Sequence, residues 1–255
     1  MREEELLSQG ISTLCERYPL FKELLAGREA ETQGLLLQYI DEIELFNPVY
    51  GLVGTADRKE LVVKHLLDSL APLGILLNLL EGEGKEWRPE QPSPASLAGG
   101  KDQSSAAQRA PIAPLTLADV GSGAGLPGIP LAICCPHWRI TLIERMGRRA
   151  GFLQNTLAVL HLPSVRVEES DLERSRSGPF DIITFRAFHP LDAKLLKTMR
   201  ERLTPGGLIA AYKGRREKIT EEMVPLEKVS LAGNWQAIPV EVPFLAEERH
   251  LLIVR

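Results

Sequence analysis

Leu117-Ala-Asp-Val-Gly-Ser-Gly-Ala-Gly-Leu-Pro-Gly128 decides how this chain is read. An apolar run ends in Asp119 and opens into Gly121, Gly123 and Gly125, the pattern of a strand feeding a tight turn. Glycine suits such a turn because the backbone takes positive φ and approaches a ligand closely, where a Cβ would intervene. About 20 residues downstream a second apolar run, Arg139-Ile-Thr-Leu-Ile-Glu144, closes on a carboxylate. A carboxylate at the tip of the next parallel strand is placed to accept hydrogen bonds from ribose hydroxyls. The pair reads as a nucleotide-cofactor site.

The glycine spacing separates two cofactor classes. Dinucleotide folds favour G-x-G-x-x-G, whose third glycine lets the helix sit close to the strand while its N-terminus meets a pyrophosphate. Here Leu126 stands at that third position, and Asp119 precedes G-x-G-x-G instead. This resembles the first motif of S-adenosylmethionine-dependent methyltransferases, whose cofactor has no pyrophosphate to place. A nicotinamide or flavin oxidoreductase and a structural turn that binds nothing remain the alternatives.

With 255 residues, 44% of them hydrophobic, the chain has enough apolar material for one main domain and an extension. A net charge of −4 argues against a protein that coats polyanions indiscriminately, but leaves room for a local basic face. Cys15 and the adjacent Cys134 and Cys135 form neither a disulfide framework nor a spaced metal quartet. The adjacent pair reads as buried helix filler. The acidic start Met1-Arg-Glu-Glu-Glu lacks the basic segment of a secretion signal, and no run approaches the roughly 20 apolar residues of a membrane span. The expectation is a soluble, cytoplasmic, monomeric protein with no metal site.

Residues 1–81 read as a helical cap, with one stripe at Leu36, Tyr39, Ile40, Ile43 and Phe46 and another at Leu61, Val62, His65, Leu66 and Leu70. Residues 82–113 turn to Gly, Glu, Pro, Ser, Ala and Gln and read as a flexible low-complexity insertion, too poor in apolar surface to offset its ordering entropy. From 114 to 255 strands alternate with helices. Strands are expected at 115–120, 139–143, 165–168, 180–185 and 208–212, with helices at 126–135, 148–160 and near 191–203. That alternation predicts an α/β, Rossmann-like parallel sheet covered on both faces. Strands at 236–242 and 250–254 predict an antiparallel hairpin at its edge.

Beyond the first loop, Leu142-Ile-Glu144, Gly147-Arg-Arg149, Phe152-Leu153, Phe185-Arg-Ala-Phe188 and Tyr212-Lys-Gly214, with Lys64-His-Leu-Leu-Asp-Ser69 in the cap, resemble the bacterial RsmG family, also called GidB. The resemblance spans nearly the whole chain except the insertion, which replaces the family's short connection. It implies a class I S-adenosylmethionine-dependent methyltransferase fold with an N-terminal helical cap. It further implies methylation of N7 of the guanosine at position 527 of 16S ribosomal RNA, with the RNA or the small ribosomal subunit as partner. Carried over by position, cofactor contacts fall on Gly121, Leu126, Leu172, Glu173 and Arg186, with Glu144 as the ribose-binding acid. At Asp171-Leu-Glu173 the chain departs from the family's usual Arg-x-Glu, which makes Asp171 a competitor of Leu172.

The resemblance assigns no catalytic acid or base, and the chemistry needs none, because guanine N7 carries an exposed lone pair. The chain also lacks the Asn/Asp-Pro-Pro-aromatic motif of exocyclic-amine methyltransferases and a cysteine near the fourth strand. His65 and Asp68, three apart on one helix face, read as a pair that positions the cap. Lys213 is expected either to meet phosphate or to cap the sheet. Between Arg186 and Lys218 nine basic residues stand against three acidic ones. Arg148, Arg149, Arg215 and Arg216 are expected to track phosphates.

Overall fold

The structure, a computed structural model, describes residues 1–84, 114–187, 190–229 and 232–255. Helices come first: α1 (Glu3–Arg17), α2 (Pro19–Leu25), α3 (Glu29–Tyr50), the single turn α4 (Arg58–Leu61), a π-helical stretch (Val62–Leu67) and α5 (Asp68–Gly82). Asp57 caps α4 by accepting from the Glu60 amide at 2.9 Å. Gly51, at φ +57°, ends α3 in the left-handed conformation that glycine adopts without steric penalty.

The remainder alternates as read from the sequence. The parallel strands are β1 (Thr116–Val120), β2 (Arg139–Glu144), β3 (Val165–Glu169), β4 (Phe180–Arg186) and β5 (Leu203–Lys213). Between or after them lie α6 (Gly128–Cys134), α7 (Gly147–Val159), a 3₁₀ turn (Leu172–Arg174), α8 (Ala193–Glu201) and α9 (Arg216–Lys228), and the chain closes with β6 (Trp235–Val240) and β7 (Arg249–Val254). The sheet order is β3-β2-β1-β4-β5-β7-β6. β6 and β7 form the expected antiparallel edge pair, and β7 also runs antiparallel to β5.

Three departures have local causes. β5 begins five residues earlier than the apolar pattern suggests, because Leu203 pairs with Phe180 ahead of a register shift. α6 starts at Gly128, whose amide donates to Asp119 Oδ2 at 3.0 Å. α9 begins at the end of the basic run and carries Pro225, which hid its stripe of Ile219, Met223 and Leu226. The insertion expected at 82–113 falls outside the described residues apart from 82–84.

The two faces of the sheet hold separate cores. One collects Ala118, Ile183, Ile209 and Leu252 with α8 and α9 through Leu196, Met199, Ile219 and Met223. The other joins Leu117, Leu142, Ile182 and Leu208 to α6 and α7, and continues without a break into Leu36, Tyr39, Ile40, Leu70 and Leu76 of the N-terminal helices. Burying Leu36, Ile40 and Ile43 of α3 contributes about 1.5–3 kcal/mol each. Polar ties reinforce this docking. Tyr39 donates to the Ala124 carbonyl at 2.6 Å, and Tyr212 donates to the Ser69 carbonyl at 3.0 Å. Arg28 donates to the Ile133 and Cys134 carbonyls at the end of α6. Cys134 and Cys135 are fully buried, and burial pushes the Cys134 thiol up to about 12. Among the described residues no helix is long and apolar enough to cross a membrane.

Candidate active site

Strand order reverses between β1 and β4, which leaves a crevice beyond the carboxyl ends of the parallel strands, where open α/β sheets bind ligands. A cleft of about 550 Å³ occupies it, walled by Gly121, Glu144, Arg149, Leu172, Glu173 and Ala187 among others. Gly121 turns at φ +67° so that its amide reaches the Ile143 carbonyl on β2 at 2.9 Å. Glu144 is buried, and its two carboxylate oxygens accept from the Gly123 amide at 2.9 Å and the Met146 amide at 2.8 Å. One side chain thus locks the loops after β1 and β2 together. Each carboxylate oxygen keeps a further lone pair for a ligand hydroxyl.

Asp119 lies fully buried beneath the glycine loop. Its Oδ2 accepts from Ser122 Oγ at 2.6 Å and from the Gly128 amide at 3.0 Å. A side chain at Gly128 would run into Leu142 and Asp119, which is why the helix opens on glycine there. Asp119 Oδ1 has no partner among the described residues. Burial, only partly offset by those two hydrogen bonds, raises the Asp119 carboxyl to about 6.

The loop after β3 is built by residues the sequence reading passed over. Glu168 accepts from Ser175 Oγ, Ser177 Oγ and the Arg176 amide, bonds that outweigh its partial burial and hold its carboxyl below the usual range. Arg202 donates to the carbonyls of Glu173, Ser175 and Ser177. Their signal was only a carboxylate followed by serines and an arginine after a helix. Thus held, Leu172 is buried against the cleft, and Glu173 faces Lys194 at 3.6 Å across its mouth. Asp171 lines the cleft beside them.

Two expected cofactor residues lie elsewhere. Leu126 is buried in the core shared with the N-terminal helices and does not line the cleft, because the turn directs its side chain inward. Arg186 opens onto a neighbouring cleft of about 460 Å³ beyond β4, β5 and β7. There it donates to the Lys64 carbonyl at 3.1 Å and to Asp68 Oδ2 at 3.0 Å, and its Nη2 lies 3.0 Å from His65 Nδ1. Arg249 Nε donates to Asp68 Oδ1 at 2.9 Å. His65 and Asp68 therefore position the cap through Arg186 between them. Ala187, at φ +49°, lines both clefts and is where they meet.

Most of the basic run is spent internally. Lys213 pairs with Glu222 at 2.6 Å and sits over the Phe185 ring, so it caps the sheet. Lys194, Lys197 and Lys218 pair with carboxylates. Arg200 holds the Ala232 and Arg255 carbonyls. Arg149 lines the first cleft with its Nε buried and unpartnered among the described residues. Arg148, Arg215 and Arg216 remain exposed.

The profile of a family described as rRNA small subunit methyltransferase G matches residues 105–252. The Ribosomal RNA small subunit methyltransferase G of Treponema denticola is 36% identical, the alignment covering 98% of this chain and 96% of that protein. The protein of that name from Stenotrophomonas maltophilia is 34% identical over 89% of each chain. The chain belongs to the rRNA small subunit methyltransferase G family. A solved SAM-dependent methyltransferase from Aquifex aeolicus superposes with a TM-score of 0.43 at 18% identity, covering 55% of this chain and 82% of that one.

The methyl donor of the rRNA small subunit methyltransferase G family is S-adenosylmethionine, and the first cleft fits it on three counts. Its volume lies within the range of roughly 300–1,000 Å³ usual for small-molecule sites. Glu144 retains acceptor capacity for ribose hydroxyls. Asp119 does not line the cleft, but its buried carboxylate with the orphaned Oδ1 lies beneath the glycine loop and would favour a cationic group bound on that loop. No group of three or more metal-ligating side chains occurs among the described residues.

Proposed function

We propose that this chain transfers a methyl group from S-adenosylmethionine to N7 of the guanine at position 527 of 16S ribosomal RNA, acting in the cytoplasm as a monomer. Similarity over 98% of the chain to a curated rRNA small subunit methyltransferase G carries the reading. The paired clefts meeting at Ala187 support it, one for a nucleoside donor and one beside it for a base.

When bound, the donor supplies an electrophilic methyl carbon on a sulfonium. Transfer to the N7 lone pair would leave the bonding pair on sulfur and the positive charge on the purine. No proton moves, so the protein needs no general base. Its contribution is alignment and exclusion of water. Glu144 would hold the donor from the cleft wall with the Asp119 charge beneath the loop, Leu172 and Glu173 would flank it, and Arg148, Arg215 and Arg216 offer exposed charge to phosphates. N7 lies in the major-groove edge, which is deep and narrow in A-form RNA, so an opened or single-stranded region is the target.

Incubating the protein with labelled S-adenosylmethionine and small ribosomal subunits tests this. Label in 16S RNA that yields 7-methylguanosine at position 527 supports the reading, and label confined to another acceptor removes it.

A further inference from the structure

The second cleft contains a histidine whose tautomer is dictated by its neighbour. The Arg186 guanidinium offers only N–H donors, so His65 Nδ1 at 3.0 Å must accept. The proton of the neutral ring then sits on Nε2. Burial first, and the charge of Arg186 second, lower the imidazolium pKa to about 4, so the ring is neutral under physiological conditions. His65 lines the cleft, yet Nε2 has no partner among the described residues.

Several polar groups around it are committed, while Arg215 on the same cleft is exposed. Arg186 Nη1 serves Lys64 and Asp68, and Arg249 Nε serves Asp68. Lys213 Nζ serves Glu222. The π-helical stretch Val62–Leu67 places the histidine, and Asp68 follows it directly at the start of α5. Such stretches are rare and frequently mark functional sites.

Resting on the reading above, we propose that the second cleft seats the acceptor guanine and that His65 is a positioning residue, its Nε2–H donating to guanine O6. O6 and N7 share one edge of the base and both are acceptors. A donor on O6 therefore fixes the in-plane orientation of N7 without occupying its lone pair. A neutral donor is the suitable kind, because methylation builds positive charge on the purine and a cation on O6 would oppose it. Adenine presents an amino group at that position, which an N–H cannot satisfy. The same contact thus selects guanine.

The test compares 16S RNA ligated to carry guanosine or 2-aminopurine riboside, which lacks O6, at position 527, assembled into small subunits. Single-turnover methyl transfer is measured for the wild type, His65→Asn and His65→Gln. Asparagine keeps an acceptor for Arg186 and loses the Nε2 donor, whereas glutamine keeps an N–H near the Nε2 position. Wild type is expected to favour guanosine by about tenfold or more, as for a buried hydrogen bond left unmade. In H65N the two substrates should converge to within about twofold, with cofactor affinity unchanged, and H65Q should recover part of the preference. A merely structural role would slow both substrates equally. Undiminished discrimination in H65N overturns this inference alone. Failure of the wild type to methylate either RNA at this position overturns the functional reading and this inference together.

Discussion

Tyr39 and Ala124 are joined by a buried hydrogen bond of 2.6 Å that ties α3 to the glycine loop after β1. Removing the donor leaves the Ala124 carbonyl without that partner in a place water does not reach. Tyr39→Phe is expected to lower unfolding stability by about 1–3 kcal/mol, read from urea denaturation, and to weaken cofactor binding measured by calorimetry. A variant as stable as wild type with unchanged affinity would show that the loop holds its shape without the cap.

Glu144 accepts from two loop amides at once, and an amide side chain has an acceptor for one only. Glu144→Gln should therefore unlock either the Gly123 or the Met146 side. It should reduce affinity for S-adenosylmethionine by about tenfold or more and destabilise the apoprotein by about 1–3 kcal/mol. Calorimetry and thermal unfolding read the two effects separately.

Asp119 titrates near 6 without a ligand, and the donor's ammonium group favours its ionised form. Binding below pH 6 must expel a proton. Affinity should fall as pH drops from 7 to 5, approaching tenfold per pH unit at the acid end. Asp119→Asn should bind more weakly at pH 7 and lose this dependence. A wild-type dissociation constant that is flat across the window would exclude contact between the ammonium group and Asp119.

Stability of the apoprotein in acid reflects two opposed groups. The Asp119 pKa is raised from 3.8 to about 6, so its contribution is present below 3.8 and lost as pH rises through 6. The His65 pKa is lowered from 6.5 to about 4, so its contribution is present above 6.5 and lost as pH falls through 4. Each shift is worth about 3 kcal/mol, and in the wild type they nearly cancel. Asp119→Asn removes one side of the balance. Its stability should decline by about 3 kcal/mol more than that of wild type between pH 6.5 and 4, measured by urea midpoints.

Arg148, Arg215 and Arg216 are the exposed arginines of the expected phosphate set, whereas Arg149 lines the first cleft. Reversing the three charges should weaken RNA binding and flatten its dependence on salt, by about 0.7–0.9 in slope per lost phosphate contact. An unchanged slope would move the RNA face elsewhere.

The strand positions, the edge hairpin and the glycine loop were legible because each rests on local pattern: runs of apolar residues, glycines at positive φ, a carboxylate ending β2. Glu144 was found in this way without reference to any relative. Glu168 and Arg202 were not, because their role exists only once the loop after β3 folds back toward the start of β5. Arg186 was placed at a strand tip correctly, but strand periodicity does not say which of two adjoining clefts a tip side chain enters. The π-helical stretch was invisible as well, since Leu61, Val62, His65 and Leu66 satisfy an ordinary helical stripe. The basic run overstated the RNA face, because charge counting cannot see that Arg200 and Arg202 are consumed by backbone carbonyls.

The uninterrupted apolar contact between the N-terminal helices and one face of the sheet has a consequence for biosynthesis. Those helices leave the ribosome first, carrying Leu70, Leu76 and Leu80 with no strand yet made to cover them. They must wait for more than thirty residues of intervening chain before β1 emerges. The apolar surface of that amino-terminal segment therefore stays exposed during synthesis until the nucleotide-binding sheet is made.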